Sequence, residues 1–94
     1  MGKLNGISKL VKDLHTEVEI ENFFKELLTE SEIETLSKRW RILDMLSNGF
    51  TQRDIAKELQ VSLCKVTRGA KILKNKNSVL SKYFKKENIN ENCK

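Results

Sequence analysis

The 94-residue chain has no proline, four glycines and a single histidine. Such scarcity of turn formers suits helices and disfavours a sandwich or barrel, so the expected fold class is all-α. Two cysteines, Cys64 and Cys93, stand far apart without the Cys or Cys/His spacing of a zinc site, so no metal is expected and reduced thiols are the default. No stretch nears the roughly 18 consecutive apolar residues of a membrane span, and the N-terminus lacks a signal-peptide core. A cytoplasmic protein without membrane contact is expected. His15 has only Thr16 and Glu17 beside it, which supply no nucleophile arrangement, and no phosphate loop or metal set occurs. An ordinary surface histidine, and no catalytic residue, is the reading.

Acidic residues are scarce in one part of the chain. Residues 1–34 carry net −4, whereas residues 35–86 carry thirteen Lys and Arg against Asp44, Asp54 and Glu58, net +10. A solvated helix face normally mixes both signs. The C-terminal part does not, which favours contact with a polyanion, with nucleic acid first.

Periodicity marks about six short helices. Ile7, Leu10, Val11 and Leu14 follow the i, i+3, i+4, i+7 rule, as do Ile20, Phe23, Phe24, Leu27 and Leu28. The two phenylalanines read as core. Thr16 with Glu19, and Thr29 with Glu32, carry capping-box spacing. Ile33, Leu36, Trp40, Leu43 and Leu46 extend a long third helix to Gly49, a C-terminal stop. Thr51 caps a helix with Ile55, Ala56 and Leu59, and Asp54 sits in its first turn, where the dipole favours an acid. Ser62 caps the next, with Leu63, Val66, Ala70 and Leu73 as its apolar stripe. A last helix runs from Ser78 through Phe84, and the polar tail from Asn88 is expected to fray. Within one structural domain, residues 1–50 are expected to dimerise, 51–74 to form a DNA-reading head, and 75–94 a C-terminal helix and frayed tail. So many amphipathic helices in so short a chain expose apolar surface unless a second copy covers it, although a compact monomer stays open.

The segment from Thr51 to Arg68 reads as a helix-turn-helix. Ala56 is small where two helices cross, Ile55 and Leu59 face inward, Val61 plugs the turn, and Val66 packs the second helix back. Gln60 stands where the turn often uses glycine, which points to a looser or differently shaped turn. In this geometry the start of the second helix, with Leu63, Cys64, Lys65 and Thr67, meets base edges, and the capping Ser62 belongs to the same DNA-binding set. Arg53 can reach guanine with two donors, while Lys57, Lys71 and Lys74 hold phosphates. An ordinary helical hairpin remains the alternative.

Taken together, Leu28-Thr29-x-x-Glu32, Leu36-x-x-Arg39-x-Arg41-Ile42, Gln52-Arg53 and Val66-Thr67-Arg68-Gly69-x-x-x-Leu73-Lys74 resemble the Trp repressor family over about residues 18–84. The resemblance implies an interlaced homodimer that binds a palindromic double-stranded operator when tryptophan fills pockets beside the reading heads. Arg39 and Arg68 would then sandwich the indole, Arg68 also pairing the carboxylate, with Thr29 and Gly69 lining the pocket. Spacing alone leaves both arginines as surface or phosphate-binding groups. An internal helical glycine such as Gly69 implies close approach by a ligand, another backbone or a packing neighbour.

The chain departs from the family's pattern at three places. Ile72, one turn after Arg68, replaces a serine that helps hold the ligand's ammonium group; Glu26 replaces an apolar residue; and the loop at Asn48 and Gly49 is one residue shorter. Three control modes stay open: L-tryptophan as corepressor, a different small-molecule corepressor, or DNA binding with none. The leading expectation is a DNA-binding transcriptional repressor of tryptophan biosynthesis or transport genes. Its rival is a basic helical adaptor that grips an acidic protein partner.

Overall fold

A computed structural model describes residues 2–92 of the chain, with side chains through Lys85. Its elements are six helices: α1 (Asn5–Asp13), α2 (Glu17–Leu27), α3 (Glu30–Ser47), α4 (Gln52–Leu59), α5 (Leu63–Lys74) and α6 (Val79–Asn92). The all-α expectation holds among the described residues. Cys93 lies outside them, whereas helical backbone continues past Asn88, where fraying was expected. No proline or glycine interrupts that stretch.

The chain divides into two compact units, Met1–Glu34 and Thr35–Lys94, and the division falls where the charge changes sign. In the first unit, Thr16 caps α2. Its hydroxyl accepts the Glu19 N–H at 3.1 Å, and the Glu19 carboxylate accepts the N–H groups of Thr16 at 3.3 Å and His15 at 3.0 Å. His15 itself is exposed. Thr29 forms the same box with Glu32, at 3.1 Å and 2.9 Å. Two orphan donors are thus satisfied at each helix start. Phe23 and Phe24 are half-buried rather than core, with ring centroids 5.3 Å apart.

The second unit holds the core. Ile42, Ile55, Leu59 and Val66 are buried together, with Met45, Leu46, Ala56 and Val61 packed against them. On α3 the buried side is therefore Ile42 and Leu43, not the Leu36 and Trp40 of the periodic stripe, which are 44% and 45% exposed. The Trp40 ring lies 4.9 Å from that of buried Phe84 and 5.7 Å from that of Tyr83. The Ser81 hydroxyl donates to the Leu73 carbonyl at 2.8 Å, tying α6 to the end of α5.

Both α3 and α4 end in a left-handed residue. After α3, Phe50 N–H bonds to Met45 C=O and Gly49 N–H to Leu46 C=O, each at 3.1 Å, while Gly49 has φ 94°. That is a Schellman closure, and Gly49 stops the helix as its position implies. After α4, Val61 N–H reaches Ala56 C=O at 3.1 Å with Gln60 at φ 56°, ψ 49°. The turn therefore takes the same left-handed form despite lacking glycine.

Candidate nucleic-acid interface

Helix α4, the turn at Gln60 to Ser62, and α5 form a helix-turn-helix whose inner surface is apolar. Ile55 and Val66 are fully enclosed, Leu59 is buried, and half-buried Ala56 and Val61 close the crossing. Each helix begins on a hydroxyl cap: Thr51 Oγ1 accepts the Asp54 N–H at 3.1 Å, and Ser62 Oγ the Lys65 N–H at 3.3 Å. One polar bond braces the pair. The Thr67 hydroxyl donates to Gln52 Oε1 at 2.9 Å in a partly buried position.

Gly69 fixes how close α5 comes to α3. A Cβ at Gly69 would stand 2.9 Å from Ile42 Cγ2, 3.4 Å from Leu46 Cδ1 and 3.5 Å from Leu43 Cδ2. The close neighbour of this buried glycine is thus an α3 side chain. The inward face of α5 is centred on Val66 and Gly69, so at 100° per residue Cys64, Arg68 and Lys71 stand opposite. Lys65 and Ile72 flank that face on the α3 side, and Thr67 and Lys74 on the α4 side. Leu63 differs from its place on the periodic stripe, being 47% exposed at the start of α5.

Arg53, Lys57, Ser62, Cys64, Lys65, Arg68, Lys71 and Lys74 are all exposed, and Cys64 is a free thiol. Among the described residues, none of these cations is held in an ion pair or a side-chain hydrogen bond. Helix α5 carries no acid at all. Its charge is all positive, beside the exposed Ser62, Leu63 and Cys64 at its start.

The residues that the resemblance assigned to a ligand are placed less uniformly. Arg39 is exposed on α3, one turn before Ile42 and Leu43 and on their face, while exposed Arg68 is the chain neighbour of Gly69. The Gly69–Ile42 approach therefore sits within a turn of both arginines. Ile72 is half-buried on the same flank, and Gly69 presents no open surface. Thr29 lies in the first unit, where its hydroxyl caps α3. An open groove on the flank of α4 away from α5 is lined by Arg41, Asp44, Met45, Phe50, Asp54, Lys57 and Glu58, and so gathers all three acids of residues 35–86. Among the described residues, no group of His, Cys, Asp and Glu could hold a metal ion, and no helix is long and apolar enough to cross a membrane.

Two structural features of the helix-turn-helix and its packing escaped the sequence. Gln52 pairs with Thr67, and Ile42 supplies the wall against Gly69. A polar residue at the first position of α4, next to a capping threonine, was the only signal for the former.

Comparison with known proteins agrees with this geometry. A Trp operon repressor homolog of Xylella fastidiosa (strain M23) is 44% identical over 52 residues, which is 54% of this chain and 56% of the relative. The chain thus spans about half the length of the Xylella relatives it matches. A Trp operon repressor homolog of Chlamydia trachomatis serovar D is 30% identical over 79 residues, 83% of this chain and 84% of the relative. No solved structure matches. The family described as Trp repressor protein matches residues 2–88, and the chain belongs to it.

Proposed function

We propose that the chain is a homodimeric, sequence-specific DNA-binding repressor whose α5 enters the major groove of a palindromic operator. The observation that carries this reading is the outward face of α5: unpaired cations and small groups, and no acid, on a helix braced from behind by α4. Cys64, Lys65 and Leu63 would meet base edges, Arg53 would fork onto a guanine, and Lys57, Lys71 and Lys74 would hold phosphates. Apolar residues left exposed on one chain, among them Leu36, Trp40 and Val79, support a second copy as partner. The reading needs no enzymatic chemistry.

A corepressor with a flat aromatic body and a carboxylate, L-tryptophan first, would stack between Arg39 and Arg68. Binding would favour the reading-head orientation that fits successive major grooves, by no more than its differential affinity for the two orientations. A regulator that needs no ligand is the second reading. It is favoured by half-buried Ile72, which offers no acceptor to an ammonium group.

The test is selection of duplexes from a random pool, followed by binding with and without L-tryptophan at two salt concentrations. A recovered palindrome, affinity that falls steeply with salt, and tightening by tryptophan are expected. Absence of any sequence preference would overturn the repressor reading and favour a basic adaptor for an acidic protein. A preferred palindrome bound equally well without tryptophan would retain the repressor and remove that corepressor.

A further inference from the structure

We infer that Gln52 is a DNA-contacting residue of the reading head, and that Thr67 is a positioning residue acting through it. The inference rests on the repressor reading above but assigns a role to a side chain outside its contact set. A carboxamide has one acceptor end and one end with two donors. The Thr67 hydroxyl donates to Gln52 Oε1 at 2.9 Å, so the oxygen end is turned toward Thr67 inside the helix-turn-helix. The Nε2 donors have no partner among the described residues. Gln52 is only half-buried, and Arg53 and Lys57 on the same helix are exposed.

The hydrogen bond also fixes orientation. A free carboxamide at a surface samples both flips and could offer a phosphate its oxygen, which repels. With Oε1 held by Thr67, the donor end is the one left to an anionic oxygen, and the side chain loses less freedom on binding. Thr67 is itself half-buried and its proton is committed to Gln52, which leaves it no donor for a base edge in this arrangement. Its influence on binding would pass through the glutamine.

The experiment is a double-mutant cycle on duplex binding with the full chain and the selected operator. Thr67→Val removes the hydroxyl while keeping the shape, and should weaken binding about tenfold; Thr67→Ser should restore it. In a Gln52→Ala background the Thr67→Val effect should vanish, because its target is gone. Gln52→Glu keeps an acceptor for Thr67 but presents an oxygen outward, so it should weaken binding roughly ten- to hundredfold without lowering the unfolding midpoint. An undiminished Thr67→Val effect in the Gln52→Ala chain would show direct contact by Thr67 and overturn the inference, as would wild-type affinity in Gln52→Glu. A wild-type chain that binds no duplex overturns the repressor reading and this inference together. Wild-type binding without coupling overturns this inference alone.

Discussion

Gly69 of α5 lies against Ile42 of α3 so closely that a Cβ would stand 2.9 Å from the isoleucine Cγ2. Cγ2 branches directly from Cβ and is fixed by a stiff χ1, so it cannot swing aside as a long side chain would. In a helix interior, Gly→Ala normally gains about 1 kcal/mol. Here overpacking opposes that gain, at about 1 to 3 kcal/mol. Gly69→Ala should therefore destabilise, or at best leave stability unchanged. Combining it with Ile42→Val, which retains Cγ2, should give no relief, whereas Ile42→Ala should relieve the clash at the cost of a core cavity. Denaturant midpoints of the four chains check this. A stabilised Gly69→Ala would mean the two helices stand farther apart.

Gln60 gives a prediction of opposite sign. Its φ of 56° is left-handed backbone, which costs an L side chain roughly 1 kcal/mol and costs glycine little. Gln60→Gly should stabilise the chain by about 0.5 kcal/mol, the strain relieved exceeding the entropy glycine adds to the unfolded state. The gain should appear in the unfolding midpoint with DNA affinity unchanged, since the turn already has the shape glycine would allow.

These two positions show what the sequence could and could not convey. Caps and the apolar seam of the helix-turn-helix were legible because each depends on residues near in sequence: Thr16 with Glu19, Thr51 with Asp54, and Ile55 with Leu59. The shape at Gln60 was not, because propensity argues against a left-handed glutamine, and it accompanies the Val61 N–H bond to Ala56 C=O and the packing of Val61 against the core. The inward turn of Ile42 was missed for a similar reason. Helical periodicity on α3 permits two overlapping stripes, and the choice is made by Gly69, 27 positions away. Within the candidate site, exposure of the cations followed from composition, but the pairing of Thr67 with Gln52 spans 15 residues and had no local signature.

At low pH the first unit should weaken through Glu19. Backbone N–H groups of His15 and then Thr16 hold its carboxyl below the usual value of 4.5, with the Thr16 side chain adding to the effect. A folded-state value below the unfolded one means the contribution is complete above pH 4.5 and fades as pH falls through the folded value. The stability difference between wild type and Glu19→Gln should therefore be constant above that pH and shrink below it. Circular dichroism melts across the acid range measure it; a difference that grows on acidification has the wrong sign.

Phosphate contacts leave a salt signature. Lys71 is exposed on the outward face of α5, so Lys71→Ala should weaken all duplexes alike and reduce the log affinity versus log salt slope by about 0.9. Arg53→Ala should instead relax the preference at one base pair in each half-site, costing about 1 to 3 kcal/mol against the preferred base. Binding measured on the operator and on single-base variants at several salt concentrations separates the two. If both substitutions acted alike on every sequence, Arg53 would be a second phosphate contact and base reading would fall to the start of α5.

Ile72 allows the ligand reading to be tested by adding a function rather than removing one. It is half-buried one turn beyond Arg68, on the flank that faces α3. A zwitterionic corepressor held there by two arginines would bury its ammonium group beside an isoleucine, with no side-chain acceptor to replace water. Ile72→Ser would supply one at the cost of some apolar packing. Calorimetry should show L-tryptophan bound about tenfold more tightly by Ile72→Ser than by wild type, as expected of one hydrogen bond to a charged group. Indole-3-propionate, which has the ring and carboxylate but no ammonium, should gain nothing. Equal gains for both would assign the effect to space alone, and no gain for either would remove Ile72 from the pocket.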